Sequence, residues 1–203
     1  MEIETKPSAS ESTPEPTETT EATADGDFTA AEWANPVTNP GELLTTVEGT
    51  NFTVDVYQVG TDIATSGGQF VDPDTMELLL AEGDEIVFVN YVATNTSDAD
   101  IPLSASLVNM TARYADWKYM QGMDAVVDFD LDEKMGINRT AIAPSKAVAP
   151  YIWKAGESFS FGQNFKYQPD SAITFAASLT ESDAEGDLDH DTRQEVKVET
   201  TIG

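Results

Sequence analysis

Residues Glu85–Asn95 read EIVFVNYVATN, with Ile86, Phe88 and Val92 on one parity and Val87, Val89 and Tyr91 on the other. A strand with one wet face alternates apolar and polar residues, whereas a strand apolar on both parities is covered on both faces. The stretch therefore predicts a central strand. Upstream, Phe52, Val54 and Val56 alternate with Thr53, Asp55 and Tyr57, the period-two pattern of a strand with one solvated side. Downstream, residues 98–102 supply a turn and Ile101, Leu103, Ala105 and Leu107 restart the alternation, so a hairpin with residues 85–95 is expected.

Further strands are predicted over residues 126–131, over 148–153, at Phe159, Phe161 and Phe165, at Ile173, Phe175, Ala177 and Leu179, and at Val196, Val198 and Ile202. Seven to nine short strands without a long amphipathic helix indicate an all-β antiparallel sandwich rather than a parallel α/β sheet. The segment DFTAAEWA, residues 27–34, reads as a short docking helix with Phe28 and Trp33 near one face. Asn35-Pro36 and Asn39-Pro40-Gly41 then end it, because the residue before a proline is pushed out of helical geometry.

Three regions follow. Residues 1–27 are a Thr/Glu/Pro/Ser-rich stalk whose composition cannot offset the chain entropy lost on folding, so disorder is expected there. Residues 28–46 form the helix and linker, and residues 47–203 the sandwich. Nine Phe, six Tyr and three Trp in a chain that is 40% hydrophobic suffice for one core.

The net charge is -27; the stalk holds eight acids against Lys6, which leaves -20 for residues 28–203. Nucleic acids and anionic lipid surfaces are bound through Lys and Arg, so both are disfavoured as partners. With no cysteine there is no disulfide, no thiol nucleophile and no thiolate metal site. No run of about 18 apolar residues spans a bilayer. A polar stalk ahead of a β-rich domain points to an exported cell-surface protein, with an export segment and a lipid anchor expected ahead of the stalk.

The run EGDEIVFVNYVATNTSDADIPLS, residues 82–104, has a Gly-containing turn, a hydrophobic strand ending at Asn, a polar turn and a second strand, with Gly83, Val87, Val89, Val92, Asn95 and Leu103 in the key places. It resembles the immunoglobulin-like, telokin-like domain of secreted actinobacterial proteins and lipoproteins, and the turn Ala155-Gly156-Glu157 before SFSFGQNF fits that group's penultimate hairpin. The resemblance covers residues 47–202. It implies export and an immunoglobulin-like β-sandwich, and it carries over no catalytic residue. The chain departs from the group in its longer middle, residues 113–149, and in its acidic segment before the last strand.

Candidate ligand-binding residues lie in RYADWKYMQGM, residues 113–123. There Tyr114, Trp117 and Tyr119 sit beside Arg113 and Lys118, rings and donors suited to a glycan or a protein partner. Packing at the end of the sandwich is the alternative use of the same rings. A candidate calcium loop is ESDAEGDLDHD, residues 181–191, with Glu181, Asp183, Glu185, Asp187 and Asp189 at every second position and Gly186 for the turn. Calcium takes six to eight oxygens, but Thr192 stands where a helix-loop-helix site needs a bidentate Glu, so a solvated acidic loop competes with that reading.

Asp128, Asp130 and Asp132 read as one face of a charge-protected edge strand. Four methionines with His190 make a weak Cu(I) set, since core filling is the commoner use of Met. Asn51, Asn95, Asn109 and Asn138 match the glycosylation sequon in a chain rich in Ser and Thr. Ser145-Lys146 stands outside any catalytic motif, and a Ser-His-Asp set would have to use His190. The expectation is a non-catalytic binding or adhesion module with no cofactor, followed by a calcium-binding module and by an accessory structural domain without ligand.

Overall fold

The computed structural model describes residues 28–146 and 148–203, with the side chain of Lys146 left aside. The expected disorder of residues 1–27 lies outside them. Among the described residues are nine strands in two sheets: β1 (Thr29–Ala30), β2 (Glu42–Glu48), β3 (Phe52–Ile63), β4 (Glu85–Asn95), β5 (Ile101–Tyr114), β6 (Tyr151–Trp153), β7 (Glu157–Lys166), β8 (Ser171–Glu181) and β9 (Gln194–Ile202). One sheet has the order β1-β7-β4-β3-β2 and the other β6-β5-β8-β9. Taking β3, β4 and β7 as A, B and E, and β5, β8 and β9 as C, F and G, the order is that of an immunoglobulin-like sandwich, with β6 beside C. β2 and the two-residue β1 extend the first sheet at its two edges.

β4 behaves as its double parity requires. It lies between β3 and β7, and Val87, Val89, Tyr91 and Ala93 enter the main core with Phe52, Phe159, Phe175 and Trp153. Ile86 and Phe88 point to the opposite face, where Ala64, Leu80, Val126 and Ile137 complete a second cluster flanked by Leu131 and Met135. The long middle of the chain is thus what covers the outer face of β4. Each such fully buried side chain contributes about 1.5–3 kcal/mol.

The expected helix at residues 27–34 is instead β1 and a turn. A one- to two-turn helix is marginal alone. The free edge of β7 offers Thr29 and Ala30 a parallel ladder, and Trp33 is buried against Tyr151 and Phe159 with its indole N–H donating to the Ile152 carbonyl at 2.9 Å. The segment docks, but through a ladder and one ring. β2 begins at Glu42, so residues 42–46, read as linker, are already sheet.

The expected hairpin of residues 85–95 with 101–107 is not formed, because β4 and β5 belong to different sheets. The turn between them is a crossover built on Asn95. Its amide donates to the carbonyls of Ala99 and Trp153, each at 2.9 Å, and its oxygen accepts from the Ser97 N–H and hydroxyl. Asn95 is buried, so its sequon serves the crossover.

Residues 126–131 are not a strand either. Asp128 caps helix α1 (Phe129–Met135), its side chain accepting from the Asp130 and Leu131 N–H groups, and Gly136 ends it at φ 67°. The three aspartates therefore share no strand face. Asp128 is a cap, Asp130 is exposed in the first turn, and Asp132 is buried in an ion pair with Arg139. Residues 148–153 contribute only the three-residue β6.

Candidate binding groove

The expected ligand loop is folded onto itself. Tyr114, only 1% exposed, lies edge-on to Phe165, and its hydroxyl donates to the Lys166 carbonyl and accepts from the Gln168 N–H. Burial pushes this phenol up to about 12. Arg113 donates to the carbonyls of Met120 and Gln121, and the Trp117 indole N–H also donates to Gln121. Trp117 and Tyr119 meet edge to face at 5.1 Å. The Tyr119 hydroxyl donates to Asp72 at 2.5 Å, while Lys118 lies 5.1 Å from the Tyr119 ring and 3.5 Å from Asp72. The Tyr119 bond, together with the Asp74 N–H, holds the Asp72 carboxyl at about 2. Of the four predicted ligand residues, Tyr114 is core, the Trp117 indole N–H is engaged within the loop and the Tyr119 hydroxyl on Asp72, and the exposed Arg113 uses one guanidinium nitrogen within the loop.

The acidic segment is a hairpin loop joining β8 to β9. Glu181 is the last residue of β8, and Ser182 bridges Leu188. Asp183 accepts from the Glu185 and Asp187 N–H groups, Gly186 turns at φ 90°, and Asp189 accepts from the Asp191 N–H to cap a short 3-10 turn (His190–Thr192). Among the described residues no three His, Asp or Glu side chains converge on a point fit for a metal ion. Met110 and Met123 pack at the main core, Met135 lies against the second cluster and Met120 is exposed, so the four methionines do not meet at one point.

A different feature is open. β6 pairs with β5 only at Ile101, Pro102 and Leu103, so beyond Leu103 that edge of β5 has no neighbouring strand among the described residues. On its other side β5 runs along β8. There five steps from Leu103 to Val108 answer two steps from Glu181 to Leu179, a wide bulge whose last residue, Leu107, sits at φ 48°. Such a conformation is costly for a bulky residue, and bulges of this kind re-aim a strand. The bulge switches the inward parity from Ile101 and Leu103 to Val108, Met110, Ala112 and Tyr114.

Ala115 donates to the Ala172 carbonyl at 2.9 Å, which fixes the alternation of the ladder. Asn109, Thr111 and Arg113 exchange bonds with β8, and the main-chain groups of Val108, Met110 and Ala112 point to the unpaired edge.

Two adjoining clefts of about 430 and 130 Å³ run along this edge and share Met110, Ala125 and Gln163. Their floor is Phe161, Gln163 and Phe165 of β7, and their far wall is residues 139–142 with Met123 and Ala125. The wall is pinned from below. Arg139 pairs with Asp132 at 2.5 and 3.0 Å and donates to the Val126 carbonyl. Asn35 N–H and Ala143 N–H tie the wall to the N-terminal segment through Ala141 and Trp33. Gly162 is required beneath it, since a Cβ there would stand 2.7 Å from Ile137.

The alternation of Ile101, Leu103, Ala105 and Leu107 predicts a plain strand and no groove. The parity switch within IPLSASLVNMTARY is its one signal in the sequence.

No family model matches the chain, and no curated protein matches it. Among solved structures it is similar to a "putative lipoprotein" from Bacillus subtilis, with TM-score 0.40 and 12% identity over 79% of this chain and 39% of that one. It is similar to a protein of unknown function from Listeria monocytogenes at TM-score 0.40 and 12% identity, over 80% of this chain and 83% of that one. This chain thus spans about two fifths of the Bacillus protein.

Proposed function

We propose that this protein is a non-catalytic binding module of the telokin-like kind, displayed at a cell surface on an acidic stalk, and that its ligand enters the groove along residues 105–112. One observation carries the reading: a strand edge left unpaired beyond Leu103 opens into a cleft floored by Phe161 and Phe165. The groove is concave and sets polar and apolar surface side by side; clefts in which a few placed polar groups accompany apolar side chains are where ligands bind, and loops on a rigid sandwich supply their walls. The strained Leu107 beside it fits a conformation kept for use. Surface display rests on the composition of the stalk, and among the described residues no helix is long and apolar enough to cross a membrane.

The test is amide chemical-shift mapping on the full chain against a panel of soluble short peptides and cell-wall glycan fragments. Saturable shifts at Val108, Met110, Ala125 and Gln163 that vanish in the groove-filling variant Ala125→Trp support the reading. Shifts confined to residues 113–121, or to residues 181–191 with calcium, move the binding surface elsewhere.

A further inference from the structure

We infer that the groove takes an extended basic peptide as an added strand beside β5; this rests on the groove being the binding surface and names its ligand class. The first ground is the backbone. Val108, Met110 and Ala112 direct their N–H and C=O groups to the unpaired edge, and among the described residues no backbone hydrogen bond from another segment reaches residues 105–112 on that side. Unpaired ladder groups in a row are the template on which an extended peptide adds a strand. Past the bulge, residues 108–112 span roughly 16 Å at about 3.3 Å per residue, near the length of an ordinary strand.

The second ground is access. Thr140, Ala141 and Ile142 stand across the groove from the edge. An occupant of the groove lies between this wall and β5, where the edge of another whole sheet would meet the wall. A second copy is further opposed by charge, since two bodies of -20 repel.

The third ground is the distribution of charge. Among the described residues no acid lines the two clefts, and the one charged lining residue, Arg139, is already paired with Asp132. Alternate side chains of an incoming strand therefore meet the Phe161 and Phe165 floor and should be apolar. Off the bulge end, outside the cleft lining, lies the acidic hairpin loop: a Cβ at Gly186 would stand 3.4 Å from that of Ala149, two residues ahead of Tyr151, which pairs with Leu103. Asp183, Glu185 and Asp187 are exposed on that loop. The other parity of the peptide should then carry Lys or Arg. The acidic segment so becomes a steering element for the ligand.

The test titrates the isotope-labelled full chain with an eight-residue capped peptide alternating lysine and valine, at low ionic strength. Two controls are the same peptide N-methylated at alternate residues, in both registers, and a glutamate-valine analogue. Strand addition predicts saturable shifts and slowed amide exchange at Val108, Met110 and Ala112. It predicts no binding of the N-methylated forms, and affinity lowered about threefold to tenfold in Glu185→Gln/Asp187→Asn, whose carboxylates hold no turn in place. Equal binding of the N-methylated forms at the same amides leaves the groove as the binding surface and overturns strand addition. Equal binding of the glutamate peptide overturns the basic preference alone. If none of the peptides moves a groove amide, the inference falls; the groove reading itself falls only if the glycan fragments also leave those amides still.

Discussion

Asn164 of β7 closes a two-bond ring on the backbone of Val126. Its side-chain oxygen accepts from the Val126 N–H at 2.9 Å, and its amide donates to the Val126 carbonyl at 2.9 Å. Both residues are buried, and with Arg139, which also donates to the Val126 carbonyl, Asn164 satisfies main-chain groups that have no ladder partner among the described residues and helps fix residues 122–142 over the sheet. Asn164→Leu removes both bonds and strands the buried Val126 N–H, while the Val126 carbonyl keeps its bond from Arg139. The expected loss is about 1–3 kcal/mol of stability, the cost of the one group left unsatisfied. Chemical denaturation should show the loss, and hydrogen exchange should show residues 122–142 opening before β8 and β9.

The wall of the groove rests on Asp132 and Arg139, whose side chains are 6% and 21% exposed. Removing one partner of a buried pair leaves a charge uncompensated, at a cost of about 3–5 kcal/mol, whereas apolar replacement of both is often near neutral. Asp132→Leu alone should therefore be strongly destabilising, and Asp132→Leu/Arg139→Met should recover much of the loss. A double-mutant cycle on the unfolding midpoint reads the difference.

Tyr119 and Asp72 join the 113–123 loop to the segment after β3. In Tyr119→Phe the Asp72 carboxyl should rise from about 2 toward its ordinary 3.8, as followed by carboxyl NMR. Asp62 is likewise held low by Lys134 and the Ile63 N–H, and Asp128 by the Thr65 hydroxyl and the Leu131 N–H. Burial works against Asp84, but Lys166 and the Ala81 N–H keep its carboxyl below the usual range. Groups with depressed native values stabilise the fold above the unfolded value, and that stability is lost as pH falls through the native one. The thermal midpoint should drop between pH 3.8 and about 2, and the drop should be smaller in Tyr119→Phe.

At the alkaline end the sign reverses. Tyr114, buried and raised to about 12 from 10.0, stays neutral in the fold after the unfolded chain has begun to ionise. Its contribution is complete below pH 10.0 and is lost as pH rises toward 12. Burial pushes Tyr91 up as well, against the hydrogen bond from Gln163. Tyr114→Phe should flatten the decline of the midpoint over that range, while giving up its bonds to Lys166 and Gln168 at neutral pH.

The strands were legible where burial alone sets the pattern. The double parity of residues 85–95 announced a strand covered on both faces, and Ile173, Phe175, Ala177 and Leu179 announced β8. Misreadings arose where tertiary contacts outweigh local preference. Residues 27–34 carry helix formers, but a free edge of β7 and a pocket for Trp33 draw them into extended form. Residues 126–131 alternate like a strand, yet Asp128 begins a helix that covers Phe88. Asn95 ends one strand and starts a crossover that looks locally like a hairpin turn. The aromatic loop was found in the sequence, but nothing local told that Asp72 would occupy its Tyr119 hydroxyl. The groove depends on where β6 stops, which is a property of the assembled sheet.

The most direct measurement is residue-resolved amide exchange along β5 in the free protein. The unpaired edge predicts alternation: slow exchange at Asn109, Thr111 and Arg113, bonded to β8, and fast exchange at Val108, Met110 and Ala112, facing the groove. Uniform protection of all six would mean that the edge is already paired, and would contradict the binding groove itself.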